Sequence, residues 1–426
     1  MKKYEIYKDS GLEWLGMVPK HWKLEKLKYQ FGLVTAPSES SYKIGLENIE
    51  SATGRFIKTD SDFEGDGIAF QPKDIIYGKL RPYLQKVWLA EFSGSAVGDF
   101  YVFRCNKGTY PTFMKYMLLS HNFTVEADGS TYGAKMPRVS YEFVANLKWA
   151  MPPLSEQRTI ASYLDHKVGQ IDALISEKEK MVEDLKAYRS SLITETVTKG
   201  LDKGVKMKNS GLEWLGMVPE HWEIVPLKYL LSEPLQYGAN ESADNCNPLE
   251  PRYIRITDIT EGGKLRKSTY RTLPYQKAEG YMLKTGDILF ARSGATVGKT
   301  FLFEEDYDAC FAGYLIKASC NERLFPMFLY YFTLSNSYEN WKNSIFNQAT
   351  IQNIGADKYC ALPIPTPSSE EQKRIISFLS QKVDQIDASI TELEHQLSDL
   401  KSYKSSLITE AVTGKIDLRD WQTKKS

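Results

Sequence analysis

Two stretches of the chain repeat apolar residues at alternating spacings of four and three. One runs through Leu164, Val168, Ile171, Ile175, Lys178, Val182, Leu185, Arg189 and Leu192; the other through Leu379, Val383, Ile386, Ile390, Leu393, Leu397, Leu400, Lys404 and Leu407. This spacing lays a narrow apolar stripe along one side of an α-helix and marks a coiled-coil seam rather than a broad core face. With one seam each, the two helices are expected to pair, as an antiparallel coiled coil. Prolines at 152, 153, 363, 365 and 367 stop the strand before each helix, and the pairs Glu156-Gln157 and Glu371-Gln372 put acid in the first turn. Gly200 and Gly414 end the helices.

Ahead of each helix the pattern is that of the short apolar runs and two-residue alternation of strands. Residues 42–49 and 252–259 both alternate and end in Asn/Asp-Ile, and both read as strands. Asp74-Ile75-Ile76-Tyr77-Gly78-Lys79 matches Asp287-Ile288-Leu289-Phe290-Ala291-Arg292, a buried strand running into a turn that bears a basic residue. These likenesses belong to a repeat covering nearly the whole chain. Residues 10–19 return verbatim at 210–219, and His21-Trp22 returns as His221-Trp222. Further on, Cys105 corresponds to Cys320, Pro111 to Pro326 and Leu147 to Leu362, and the same offset carries Gln170-Ile171-Asp172-Ala173 onto Gln385-Ile386-Asp387-Ala388. So long a period lies far above that of solenoids and predicts a duplicated domain pair with pseudo-two-fold symmetry. The fold class is mixed α/β (α+β): a globular domain at 1–153, a helix at 154–200, a second domain at 201–366, a second helix at 367–414 and a tail at 415–426.

Composition bears on function. Apolar residues make up 42% and charged residues 25%, which is globular rather than disordered. The 54 basic and 54 acidic residues cancel, and no stretch is a polybasic arm, so binding to nucleic acid would need local patches or partners that complete a positive surface. Five cysteines without a CxxC pair favour reduced thiols over a disulfide framework or a zinc site. With no apolar run of membrane length and a charged start lacking an h-region, a cytoplasmic protein without a membrane partner is expected.

Sites for chemistry are scarce. Gly294-Ala295-Thr296-Val297-Gly298-Lys299-Thr300 has one residue too few between its glycines for a phosphate-binding loop, and reads instead as a glycine-rich turn in which Arg292 and Lys299 could meet phosphates. Lys79, Arg81 and Lys86, with Tyr83, occupy the equivalent place in the first half; solvated surface charge is the alternative reading. The copied tryptophans and histidines are expected to hold the shared fold. No histidine lies beside a candidate nucleophile, and neither an Asn/Asp-Pro-Pro-Tyr/Phe segment nor a glycine-rich fingerprint opening a helix is present. No catalytic, metal or cofactor site is therefore expected in this chain. The halves diverge at 130–138 and 345–353, polar loops carrying Lys135 and Arg138 in one and Gln348, Thr350, Gln352 and Asn353 in the other. Amide and guanidinium groups grip adenine and guanine edges, so the divergence suits two different base sequences, with ordinary loop drift as the alternative.

The run Pro152-Pro153-Leu154-Ser155-Glu156-Gln157-Arg158, its echo at 367–372, the domain start Val18-Pro19-Lys20-His21-Trp22 and the segment 78–84 together resemble the specificity subunits of Type I restriction-modification enzymes, over nearly the whole chain. The resemblance implies two target-recognition domains that read the halves of a split double-stranded DNA site, with the helices as a spacer. It also implies two methyltransferase subunits and restriction subunits as partners, which carry S-adenosylmethionine and ATP/Mg and methylate adenine. A stand-alone DNA-binding regulator and a coiled-coil assembly adaptor are the competing readings.

Overall fold

The computed structural model describes residues 2–422 except 39, 60–62, 134, 243, 261–262, 295 and 347–352. Both seams form long α-helices, Leu154–Lys199 and Ser369–Val412. Gly200 and Gly414 follow them with φ of 74° and 73°, the left-handed conformation that ends a helix most cheaply at glycine. The chain divides into two compact units, residues 1–180 with 394–426 and residues 181–393.

In the first unit a four-stranded antiparallel sheet runs in the order Phe31–Val34, Phe100–Cys105, Ile75–Gly78, Val87–Leu89. A smaller sheet orders Pro37–Ser38, Gly67–Phe70, Gly94–Val97 and Lys43–Ile44, the last pair parallel. The main core joins Trp22, Phe31, Phe103, Phe113, Met117 and Trp149 to Ile160, Leu164 and Ile171 of the first long helix and to Leu407, Ile408 and Val412 of the second. The second unit repeats the plan. Its sheet orders Gln236–Tyr237, Leu315–Ala318, Ile288–Ala291 and Thr300–Leu302, and its core joins Trp222, Phe290, Phe328 and Tyr359 to Ile193 and Val197 of the first long helix and Leu379 and Val383 of the second. Each core thus takes in the start of one long helix and the end of the other.

The segments 42–49 and 252–259 are strands only at Lys43–Ile44 and Arg252–Ile254; short 3₁₀ turns, Leu46–Asn48 and Ile256–Asp258, follow. The shared Asn/Asp is the cause. Asn48 Oδ1 accepts from the Gly45 amide and Asp258 Oδ2 from the Arg255 amide, both at 2.8 Å, and this local bond turns the chain out of the sheet.

The copied segments dock each domain on its helix. Trp22 and Trp222 are fully buried. Their indole Nε1 atoms donate to Glu156 at 3.1 Å and Glu371 at 3.0 Å, the acids of the first helical turns, which His21 and His221 also meet. Gly414 lies so close to this tryptophan that a Cβ there would sit 3.1 Å from the Trp22 ring, and one at Gly200 would sit 3.2 Å from Trp222. The chain then runs on covalently from Gly200 to the strand Met207–Asn209. After Gly414 it closes without a covalent link: Lys415 Nζ donates to Leu15 O at 3.0 Å, the Asp417 amide to Lys2 O at 2.9 Å, and Lys2 pairs with Asp420.

The polar seam residues find partners. In the first unit Lys404 Nζ lies 2.7 Å from Asp172 and Lys178 Nζ 2.6 Å from Gln396, so residue numbers fall on one helix as they rise on the other: the pairing is antiparallel. Asp172 also meets Arg55 at 2.9 Å. In the second unit the equivalent pair is Arg189 with Asp387, Nη2 to Oδ2 at 3.2 Å.

Lys404 and Asp172 expose only 8% and 9% of their side chains, so removing one charge strands the other. Asp172→Ala should lower stability by about 3–5 kcal/mol. Lys404→Ala should cost less, because Arg55 still neutralises Asp172; urea unfolding midpoints of the two variants check the order. Burial pushes the thiols of Cys105, Cys310 and Cys320 up to about 12, whereas Cys246 is exposed. At pH 8 iodoacetamide should therefore label Cys246 first and those three only after unfolding, as read by peptide mass spectrometry.

Candidate nucleic-acid interface

In the first unit the turn after Ile75–Gly78 is zipped to the diverged loop. The Val139 amide donates to Lys79 O at 3.1 Å and the Arg81 amide to Pro137 O at 2.8 Å, with an isolated bridge between Leu80 and Arg138. On the other side the Lys79 amide donates to Asp99 O at 2.9 Å. Arg81 and Gln85 both adopt left-handed backbone, φ 50° and 49°, around the short turn Pro82–Leu84, and Arg81 and Tyr83 stand exposed. Tyr132, Lys135 and Met136 are exposed on the adjoining loop.

The basic candidates do different things on this strip. Arg138 donates through Nε and Nη2 to the two carboxylate oxygens of Asp99, each at 2.9 Å, which holds that carboxyl below its usual pKa. Lys79 Nζ lies 5.4 Å from the centre of the Tyr101 ring and 3.9 Å from Asp99. Lys86 turns inward instead, donating to Leu46 O at 2.9 Å and Ile49 O at 2.7 Å, and burial lowers its pKa. Lys79, Arg81, Tyr83, Lys135 and Arg138 therefore share one strip, and Lys86 braces the backbone beneath it.

The second unit repeats the framework with other side chains. The Arg292 amide donates to Tyr314 O at 3.0 Å and the Ile354 amide to Arg292 O at 2.9 Å, with a bridge between Ser293 and Asn353. The Arg292 guanidinium stacks 4.9 Å from the centre of the Tyr237 ring. Asn353 and the rings of Tyr237 and Tyr314 are exposed, and Lys299 is half-buried. Gly294 and Gly298, both at φ 81°, turn the chain from Ile288–Ala291 into Thr300–Leu302. This is a β-hairpin, not the strand–loop–helix of a phosphate-binding loop. Gln348, Thr350 and Gln352 lie outside the described residues.

Asp99, Tyr101, Tyr237 and Tyr314 were not picked out from the sequence. A signal exists: Gly98 and Gly313 are equivalent and identical, and the next residue is Asp99 in one half and Tyr314 in the other. The first unit also holds a cavity of about 490 Å³ bordered by Glu50, Arg55, Asp172, Glu179, Lys401 and Lys404. Its cations are already engaged, Arg55 and Lys404 with Asp172 and Lys401 with Glu179 at 2.9 Å. Among the described residues no cluster of His, Cys, Asp and Glu could hold a metal, and no helix is long and apolar enough to cross a membrane.

Residues 219–399 match the family of the Type I restriction modification DNA specificity domain. The EcoBI specificity subunit of Escherichia coli, a Type I restriction enzyme component, is 26% identical over 278 residues, covering 62% of this chain and 58% of that protein. The MjaVIII specificity subunit of Methanocaldococcus jannaschii is 25% identical over 300 residues, covering 68% of this chain and 67% of that protein. The chain thus matches less than two thirds of the first relative's length. A solved chain from work on complex assembly and conformational transition of the type I R-M system shares the fold, with a TM-score of 0.73 at 18% identity over 94% of this chain and 99% of that one.

The split between inward and outward cations is testable. Lys86→Met leaves Ile49 O without its donor and Leu46 O with only the Ile49 amide, and should destabilise the first unit by about 1–3 kcal/mol. Arg81→Ala should leave stability within about 0.5 kcal/mol, since its side chain is exposed. Thermal unfolding of both variants checks the contrast.

Proposed function

We propose that this chain, whose residues 219–399 match the Type I restriction modification DNA specificity domain, is the non-catalytic, DNA-reading specificity subunit of a Type I restriction-modification complex. Each unit reads one half of a bipartite double-stranded site. The long helices receive two methyltransferase subunits, restriction subunits complete the assembly, and those partners carry S-adenosylmethionine and ATP/Mg.

One observation carries this reading. The two units share the backbone bonds that shape the strip, yet the side chains on it differ: Lys79, Asp99 and Arg138 against Arg292, Tyr314 and Asn353. Positions that hold the fold, such as Trp22 and Trp222, are identical instead. A duplicated scaffold that changes only its outward polar groups suits two different base sequences. A coiled-coil adaptor has no use for such a strip. A stand-alone regulator would bind through its own positive field, whereas this chain is neutral overall, in keeping with partners that complete the grip on phosphate.

The test uses the molecule's own repeat. Each recognition module is closed at its neck by one backbone bond, Leu27 N to Leu147 O at 3.0 Å and Leu227 N to Leu362 O at 2.8 Å. Replacing residues 27–147 with 227–362, in the chain co-expressed with its methyltransferase subunits, should yield methylated sites in which the second half-site occurs twice. Genome-wide mapping of methylated adenines reads the result, and retention of the original first half-site would overturn the proposal.

A further inference from the structure

Positions 138 and 353 occupy the same place in their two frameworks. Each bridges the residue after the strand-end cation, Leu80 or Ser293, and each is followed by an amide donating to that cation's carbonyl, Val139 to Lys79 and Ile354 to Arg292. The position that supplies the opposite carbonyl changes in step. Where the bridging residue is Arg138, Asp99 stands there; where it is Asn353, Tyr314 does.

Given the DNA-reading role above, we propose that this pair of positions reads one base in each half-site, Arg138 a guanine in the first and Asn353 an adenine in the second, and that Asp99 is the positioning residue for Arg138.

The chemistry follows from which atoms remain free. Asp99 takes Nε and one edge of Nη2, and so fixes the guanidinium plane and its long side chain before any ligand arrives. The outer fork of Nη1 and Nη2 still carries parallel N–H donors, and a third of the side chain stays exposed, at 33%. Two parallel donors match O6 and N7 of guanine in the major groove. Asn353 is exposed, and its amide makes no side-chain hydrogen bond among the described residues, so it offers one donor and one acceptor, the pattern that matches N7 and N6 of adenine. An amide needs no carboxylate to hold it, and an acid beside it would compete for its N–H groups; the tyrosine at 314 removes that competitor. A loop staple would also change its two members together, so the measurement that separates the readings is the base preferred at one position and not stability alone.

The experiment maps methylated sites made by the full complex carrying the wild-type chain, Arg138→Ala, Asp99→Ala or Asn353→Ala, with thermal unfolding of each chain in parallel. Among the described residues Asn353 makes no side-chain hydrogen bond and it is exposed, so its variant tests the idea with little risk to folding. Arg138→Ala should make one guanine position of the first half-site degenerate, with discrimination there falling about 5- to 150-fold and the other positions kept. Asp99→Ala should weaken preference at that same position only, and Asn353→Ala should do the same to one adenine of the second half-site. Sites unchanged at every position, or a first half-site weakened uniformly along its length, would overturn the inference. A wild-type complex that methylates no defined half-sites would instead overturn the DNA-reading role itself.

Discussion

Everything in each unit hangs on an indole held against the start of a long helix. Trp22 and Trp222 are buried to the last atom, and the carboxylates that accept their N–H groups, Glu156 and Glu371, sit in the first turn, where the exposed helix amides favour negative charge. The same carboxylates gather His21 and His221, and the other helix ends against each ring at a left-handed glycine, where at Gly414 a Cβ would also run into Pro19. One contact therefore fixes a helix start, a helix end and the edge of a domain core. That explains why the segment around it is the part of the chain copied without change.

Periodicity is legible in sequence when a single rule governs a long stretch. The two seams are such a case, and their polar members at 178, 189 and 404 kept the stripe recognisable. What the stripe could not reveal was that Asp172 and Asp387, one helix away, neutralise Lys404 and Arg189. The segments at 42–49 and 252–259 misled for a local reason: alternation promises a strand, but an Asn or Asp side chain three residues on captures the backbone first. At the strip, sequence singled out turns and loops that folding brings together, because basic residues follow equivalent strands. It misjudged Lys86, which lies between the exposed turn at Tyr83 and the buried strand at Val87 and whose ammonium reaches back to carbonyls of a turn distant in sequence. Asp99 and the exposed tyrosines were missed: the shared glycines at 98 and 313 mark two of the positions, but their meaning comes from residues about forty positions or more away that only folding brings near.

A division of labour runs through the repeat. The backbone bonds that join strand end, loop and opposite carbonyl are common to both units, so geometry is conserved at the level of the main chain. Side chains above that frame are free to change in matched sets, an acid with a guanidinium or a tyrosine with an amide. A frame of this kind lets the polar side chains vary without asking the core to repack, because the residues that vary lie at the surface or are partly exposed and belong to none of the apolar clusters.

The closure of the tail on the chain's first residues also sets an order of birth. Residues 181–393 form the second unit as one uninterrupted stretch, but the first unit waits for 394–426. During synthesis its core lacks Leu407, Ile408, Val412, Ile416 and Leu418 until that stretch is made, so apolar surface around Trp149 and Ile160 stays uncovered while the second unit is already complete. A ribosome that stops short of Leu407 releases a chain with one finished unit and one open core, a natural mark for proteolytic disposal.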